Sequence, residues 1–215
     1  MLLLLHPVRR DVVVFILVGI VERFAFAVGG TVCHQLPERS FIVGGSQLAI
    51  CARCAGIYSG IFSFFVTAKI FGFTKNPTEE ADGRRKLLTA GLTGAALLTP
   101  LAADGARNAF GFWSSGENFR LLTGLLFAAA LAIFYKIVKD FDFRTGRFNL
   151  HRKDYFVFMS GAGFASLIGA FMANGSGFAS FACAVFNIII IMGIFILFLS
   201  FASMIYQKIN ELRKR

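Results

Sequence analysis

Three of the chain's four cysteines and one of its three histidines fall within residues 33–54. Cys33 and His34 are adjacent, sixteen residues intervene, and Cys51 and Cys54 follow as a Cys-x-x-Cys pair. Thiolate sulfur and imidazole nitrogen are the donors of tetrahedral zinc sites, and this spacing is of the kind such sites use. The expected ligands are His34, Cys51 and Cys54, with Cys33 as the fourth or a water in its place. Two other chemistries fit the same residues. Cys-Ala-Arg-Cys at a helix N-terminus, beside Arg53, would carry a thiolate of lowered pKa suited to disulfide exchange. The third is one structural disulfide, and four cysteines permit three pairings. Cys183 stands apart, as a core residue or a replacement ligand.

The elements that must position these residues are apolar. The chain has 215 residues, 56% of them hydrophobic and only 16% charged, with 27 Phe and a mean hydropathy of +0.68. A soluble fold of this size could not cover that much apolar surface. Six runs are about long enough to cross the hydrocarbon core of a bilayer: about 12–32, 47–71, 87–103, 119–138, 155–173 and 181–206. The expected fold is all-α, one polytopic transmembrane domain over residues 1–215, in the cell membrane.

The net charge of +10 is unevenly spread. Arg9, Arg10, Lys69, Lys75, Arg84–Lys86, Lys136, Lys139, Arg144, Arg147, Arg152, Lys153 and the tail from Lys208 collect at alternate ends of the runs. The other ends hold only Arg39, Arg53, Arg107 and Arg120. Cytoplasmic loops collect Lys and Arg, so both termini are expected in the cytoplasm and the Cys/His stretch outside it. Positive-inside topology and contact with anionic headgroups explain the charge without nucleic acid. Residues 139–153, alternating aromatic and charged, read as an interfacial stretch. Ser46 could cap the second helix, placing Cys51 and Cys54 in its first turns on one face. In the fifth run Gly161, Ala165, Gly169 and Ala173 recur every four residues, a small-residue stripe suited to close helix packing in the bundle or in a homo-oligomer.

"CHQ" at 33–35, "PERSF" at 37–41, "CARC" at 51–54 with "GIY" at 56–58 and Gly60, then Asp104-Gly105 and Asn118-Phe119-Arg120 with Thr123-Gly124, form a signature. It resembles the bacterial and archaeal membrane proteins grouped as domain of unknown function 2085. The resemblance covers about residues 30–130 and implies a multi-span membrane protein, with no particular reaction.

Further polar residues share these regions. Asp104, Arg107, Asn118 and Arg120 lie on the side of the cysteines, where an Asp–Arg pair would fix spans three and four to the cluster. Glu22 and Arg23 interrupt the first span, and ionisable residues at that depth need a partner or water. Candidate partners are Asn187 and Ser160. A polar cavity lined by Glu22, Arg23, Asp104, Asn118 and Arg120 is expected, with Asp104, Glu38 and Glu22 as candidate catalytic carboxylates. Three functions remain open at this point. One is a zinc-dependent enzyme acting on a membrane-associated substrate. The second is a quinone-coupled thiol–disulfide oxidoreductase. The third is a non-catalytic transporter or assembly subunit with a structural metal or disulfide.

Overall fold

The computed structural model describes residues 7–72, 83–110, 115–140, 152–174 and 180–213. Its helices are α1 (Pro7–Gly29), α2 (Ala52–Phe71), α3 (Gly83–Ala109), α4 (Glu117–Asp140), α5 (Arg152–Ala173) and α6 (Ser180–Arg213). Each holds an apolar stretch of at least 18 residues, and at 1.5 Å per residue even 20 residues span about 30 Å, the thickness of a hydrocarbon core. The chain is an integral membrane protein, with six membrane-spanning helices among its described residues. Most of the interfacial stretch expected at 139–153 lies outside the described residues.

Two boundaries differ from the sequence reading for a physical reason. The second span was expected from residue 47, yet α2 begins at Ala52 with Cys51 as its N-cap, in extended conformation and without a side-chain cap bond. Ser46 is not the cap; it pairs with Val43 in a small antiparallel hairpin, β1 (Ile42–Val43) and β2 (Ser46–Gln47). Gly44 and Gly45 turn that hairpin at φ 58 and 84, where any other residue would be strained. Leu48, Ala49 and Ile50 look in sequence like the start of a helix. They are instead a buried segment of the loop, with Leu48 and Ile50 fully excluded from solvent alongside Val43. Full burial of such side chains contributes roughly 1.5–3 kcal/mol each, which offsets the entropy lost in ordering a connection of this length. The third span is longer than expected, because α3 runs on through Asp104 and Arg107 and accommodates Pro100 within it.

The connection 30–51 therefore forms a cap over one end of the bundle. Phe41, Val43, Leu48 and Ile50 share a core with Ala52 and Ala55 of α2, Leu121 of α4, Ile168 and Met172 of α5, and Cys183, Phe186 and Ile190 of α6. Beneath the cap, α2 is the central helix, packed on α4, α5 and α6. Small residues bring it close to its neighbours. A Cβ on Gly56 would stand 2.3 Å from the Leu121 carbonyl oxygen, and one on Gly124 would stand 2.2 Å from that of Arg53. Lipid tails are as apolar as the helices, so close backbone packing of this kind is what drives association in a bilayer. The stripe on α5 is used in the same way. A Cβ at Gly161 would meet Phe64 and Thr67, one at Gly169 would meet Leu121 and Leu125, and Ala165 is buried. The face offered for self-association is occupied by the chain's own α2 and α4.

Ser59, Ser63 and Thr67 line a buried face of α2, and each hydroxyl donates to the carbonyl four residues back, at 2.6, 2.8 and 2.9 Å. At the end of the bundle away from the cap, Lys136 of α4 and Asp154 of α5 form a buried ion pair at 3.5 Å.

Candidate metal centre

The cap brings three sulfurs together. Cys33 sits four residues beyond the end of α1, and its backbone N–H still bonds to the Gly29 carbonyl at 2.9 Å. Cys51 is the N-cap of α2, and Cys54 lies in the first turn of that helix. The Sγ atoms of Cys33, Cys51 and Cys54 all lie within 4.8 Å of one another. Cys51 and Cys54 sulfurs are 3.5 Å apart, and the Cys51 backbone N–H donates to the Cys33 sulfur at 3.3 Å. Ligands at the zinc–sulfur distance of about 2.3 Å stand about 3.8 Å apart around a tetrahedral ion. The observed cluster needs only sub-ångström adjustment to reach that arrangement.

Electrostatics says what the cluster must contain. Two thiolates about 4 Å apart repel by about 4 kcal/mol at an effective dielectric of about 20. All three can be ionised together only around a cation. Without one, hydrogen bonds from Cys51 and Cys54 hold the Cys33 thiol well below the ordinary thiol range, while the contact with Cys33 pushes Cys51 up. A disulfide would use two of the sulfurs and leave the third unexplained; an ion uses all three. The cysteines are free thiols, and the three of the cluster are each partly exposed, so the site is reachable from outside the bundle.

The other expected site residues fall as follows. His34 is exposed, and the group of ligand atoms contains the three sulfurs without it. Cys33 is half-buried beside it, and the chain turns just after the two, at Gln35 with φ 54. Cys183 is fully buried in the core, where Asn187 Nδ2 donates to its sulfur at 3.6 Å; it is not a replacement ligand in this group. The carboxylate of Asp104 is buried and ion-paired with Arg53, one of the two residues between Cys51 and Cys54. The Asp–Arg pair thus ties α3 to α2. Arg120 is buried, with Nε donating to Ser115 Oγ at 3.1 Å.

The five residues expected around one polar cavity divide between two places. Glu22 and Arg23 are on α1, which packs on α6, while Asp104, Asn118 and Arg120 are on α3 and α4, which pack on each other. Arg23 and Asn118 are exposed and line no interior space. Glu22 buries one carboxyl oxygen without a hydrogen-bond partner, within electrostatic reach of Cys183. Neither suggested partner reaches it: Asn187 Oδ1 accepts from the Ala49 N–H, and Ser160 Oγ donates to the Phe156 carbonyl. Glu38 is exposed and 3.9 Å from Arg39.

Sequence reasoning missed the groups that hold the cap. Gln35 Nε2 donates to the carbonyls of Phe26, at 2.7 Å, and Ala49, at 2.8 Å. Gln35 was visible only as a letter of the "CHQ" signature. The buried Lys136–Asp154 pair was also missed, because Lys136 read as part of a basic flank.

Comparison with known proteins places the chain. A family model described as predicted membrane protein (domain of unknown function 2085) matches residues 33–134, from the first clustered cysteine well into α4. An uncharacterised protein of Methanocaldococcus jannaschii is 33% identical over 111 residues, 51% of this chain and 64% of that one. An uncharacterised protein of Methanothermobacter thermautotrophicus is 30% identical over 108 residues, 50% of this chain and 87% of that one. The match spans less than two thirds of the first relative's length. No solved structure matches. The chain belongs to this family of predicted membrane proteins.

Proposed function

We propose that this member of the family holds one zinc-class ion through Cys33, Cys51 and Cys54 on the extracytoplasmic face, with the fourth coordination position open, and acts as a metal-dependent enzyme on a membrane-associated substrate. The convergence of three sulfurs within 4.8 Å is the observation that carries the reading. Closed structural zinc sites take four protein ligands, whereas catalytic ones take three and leave one position free. Among the described residues the group contains three. Cys33, Cys51 and Cys54 would hold the ion, which would supply Lewis-acid polarisation at the free position. The rest of the work falls to the chain's own residues. Arg53, one of the two residues between Cys51 and Cys54, holds its guanidinium on the Asp104 carboxylate. Asp104 is committed to that pair, so it positions Arg53 and is not the reacting base. Sidedness follows the basic residues: the cap end carries Arg39, Arg53, Arg107 and Arg120, and the remaining Lys and Arg, apart from Arg23, belong to the opposite ends of the spans.

A second reading has one observation in its favour. Cys51 and Cys54 sulfurs are 3.5 Å apart beside an ionised Cys33, an arrangement also suited to thiol–disulfide exchange. In that chemistry two thiols become a disulfide, and two electrons and two protons pass to a quinone. Zinc per chain and free thiols, measured together on protein purified in detergent, separate the two. About one zinc per chain, lost on Cys33→Ser, Cys51→Ser or Cys54→Ser, supports the metal reading. Protein without metal, whose Cys51 and Cys54 cycle between thiol and disulfide with the quinone pool, overturns it.

A further inference from the structure

Cys33 and Cys51 come from opposite ends of the cap, so the geometry of the cluster depends on what holds those two ends in register. Both are held through the backbone of one residue, Ala49. Ala49 is 1% exposed and lies two residues before Cys51. Its carbonyl accepts from Gln35 Nε2 at 2.8 Å, and Gln35 lies two residues after Cys33. Its N–H donates to Asn187 Oδ1, on α6, at 3.0 Å. Gln35 Nε2 also donates to the Phe26 carbonyl at the end of α1, and the Gln35 carbonyl accepts from Gln47 Nε2 at 3.2 Å. Packing leaves no slack: a Cβ on Gly29, the last residue of α1, would stand 2.5 Å from the Ala49 carbonyl oxygen and 3.0 Å from Gln35 Nε2.

Gln35 has the only positive φ of any described residue other than glycine. Glycine would adopt that conformation without strain. What glutamine adds is its amide, which joins the Cys33 side of the cap to the Cys51 side. Asn187 is fully buried, and its other amide contact is to Cys183.

We propose that Gln35 and Asn187 are the positioning residues of the three-sulfur site: by clamping both backbone polar groups of Ala49, its carbonyl and its N–H, they set where Cys51 and its helix stand relative to Cys33. The effect on metal affinity rests on the function proposed above. The effect on sulfur proximity does not.

The test uses the full-length protein with Gln35→Met and Asn187→Leu, which keep side-chain size and remove the amides, singly and together. Gln35→Gly serves as a further variant that removes the amide while relaxing the backbone. Ser160→Ala and Thr67→Val, distant losses of a hydroxyl, are the controls. Two readouts are taken: zinc affinity by chelator competition with the thiolate-to-metal charge-transfer bands of the cobalt form, and the yield of Cys33–Cys51 disulfide in metal-free protein under a mild oxidant. Each amide variant is expected to weaken zinc binding about tenfold or more, to shift the cobalt bands, and to lower the cross-link yield. The double variant should lose less than the product of the single losses, because both act on one residue, Ala49. Variants that bind and cross-link like the wild type, or that lose no more than controls of matched melting temperature, overturn the inference. If the wild type takes no metal, the function proposed above fails, and the cross-linking yields decide this inference alone.

Discussion

The pH dependence of metal affinity follows from the way charge is shared in the empty cluster. Around neutral pH the Cys33 sulfur is already a thiolate, held so by hydrogen bonds from Cys51 and Cys54, whereas Cys51 is pushed toward its thiol form. Binding an ion requires three thiolates. Cys33 therefore releases no proton on binding, and Cys51 and Cys54 release one each. The sign is fixed: lower pH returns protons to two sulfurs and weakens binding. Two protons displaced correspond to about a 100-fold loss of affinity per pH unit below about pH 8, against about 1,000-fold for three ordinary thiols with pKa near 8.5. Competition against a chelator of known pH dependence, between pH 6 and 8, reads the slope directly. A slope of three protons would show that Cys33 carries no special charge. A flat profile would show that the thiols are not the ligands.

Other outcomes follow from the same structure. His34→Ala should leave zinc stoichiometry and affinity unchanged, because His34 is exposed and outside the ligand group; loss of the metal would return it to the ligand set. Lys136→Met should cost about 3–5 kcal/mol of stability by stranding a buried carboxylate, while the double change with Asp154→Leu should recover most of it in detergent melts; an additive double loss would refute the pairing. With native cysteines replaced by serine, a cysteine placed in 174–180 should label from outside intact cells and one in 139–153 should not; the opposite pattern would put the sulfur cluster in the cytoplasm.

Much of this architecture is legible in the sequence because a bilayer asks for a simple signal. Runs of about 20 apolar residues with charged ends are enough to place six spans. The start of α2 was misread because Leu48, Ala49 and Ile50 look the same whether they face lipid in a helix or are buried in a folded loop. The gathering of three sulfurs was legible by residue type and spacing, since few roles bring Cys-x-x-Cys and a further cysteine to one end of a bundle. His34 stands outside the sulfur group although it adjoins Cys33, because adjacency along the chain says nothing about direction. The bonds of Gln35 and Asn187 to Ala49 cross 14 and 138 residues of sequence. Side-chain to backbone bonds of that range leave no periodicity to detect. The proposed cavity failed for a related reason: residues at one depth of the bundle were grouped together, but α1 packs on α6 while α3 packs on α4.

The central claim, three cysteine ligands and one open position, is tested most directly by zinc X-ray absorption on the purified protein. The account predicts about three sulfurs near 2.3 Å and one nitrogen or oxygen near 2.0–2.1 Å, with the zinc lost on Cys33→Ser and the shell unchanged by His34→Ala. A shell of four sulfurs, a shell with two sulfurs or fewer, or protein that takes up no zinc at all would contradict it.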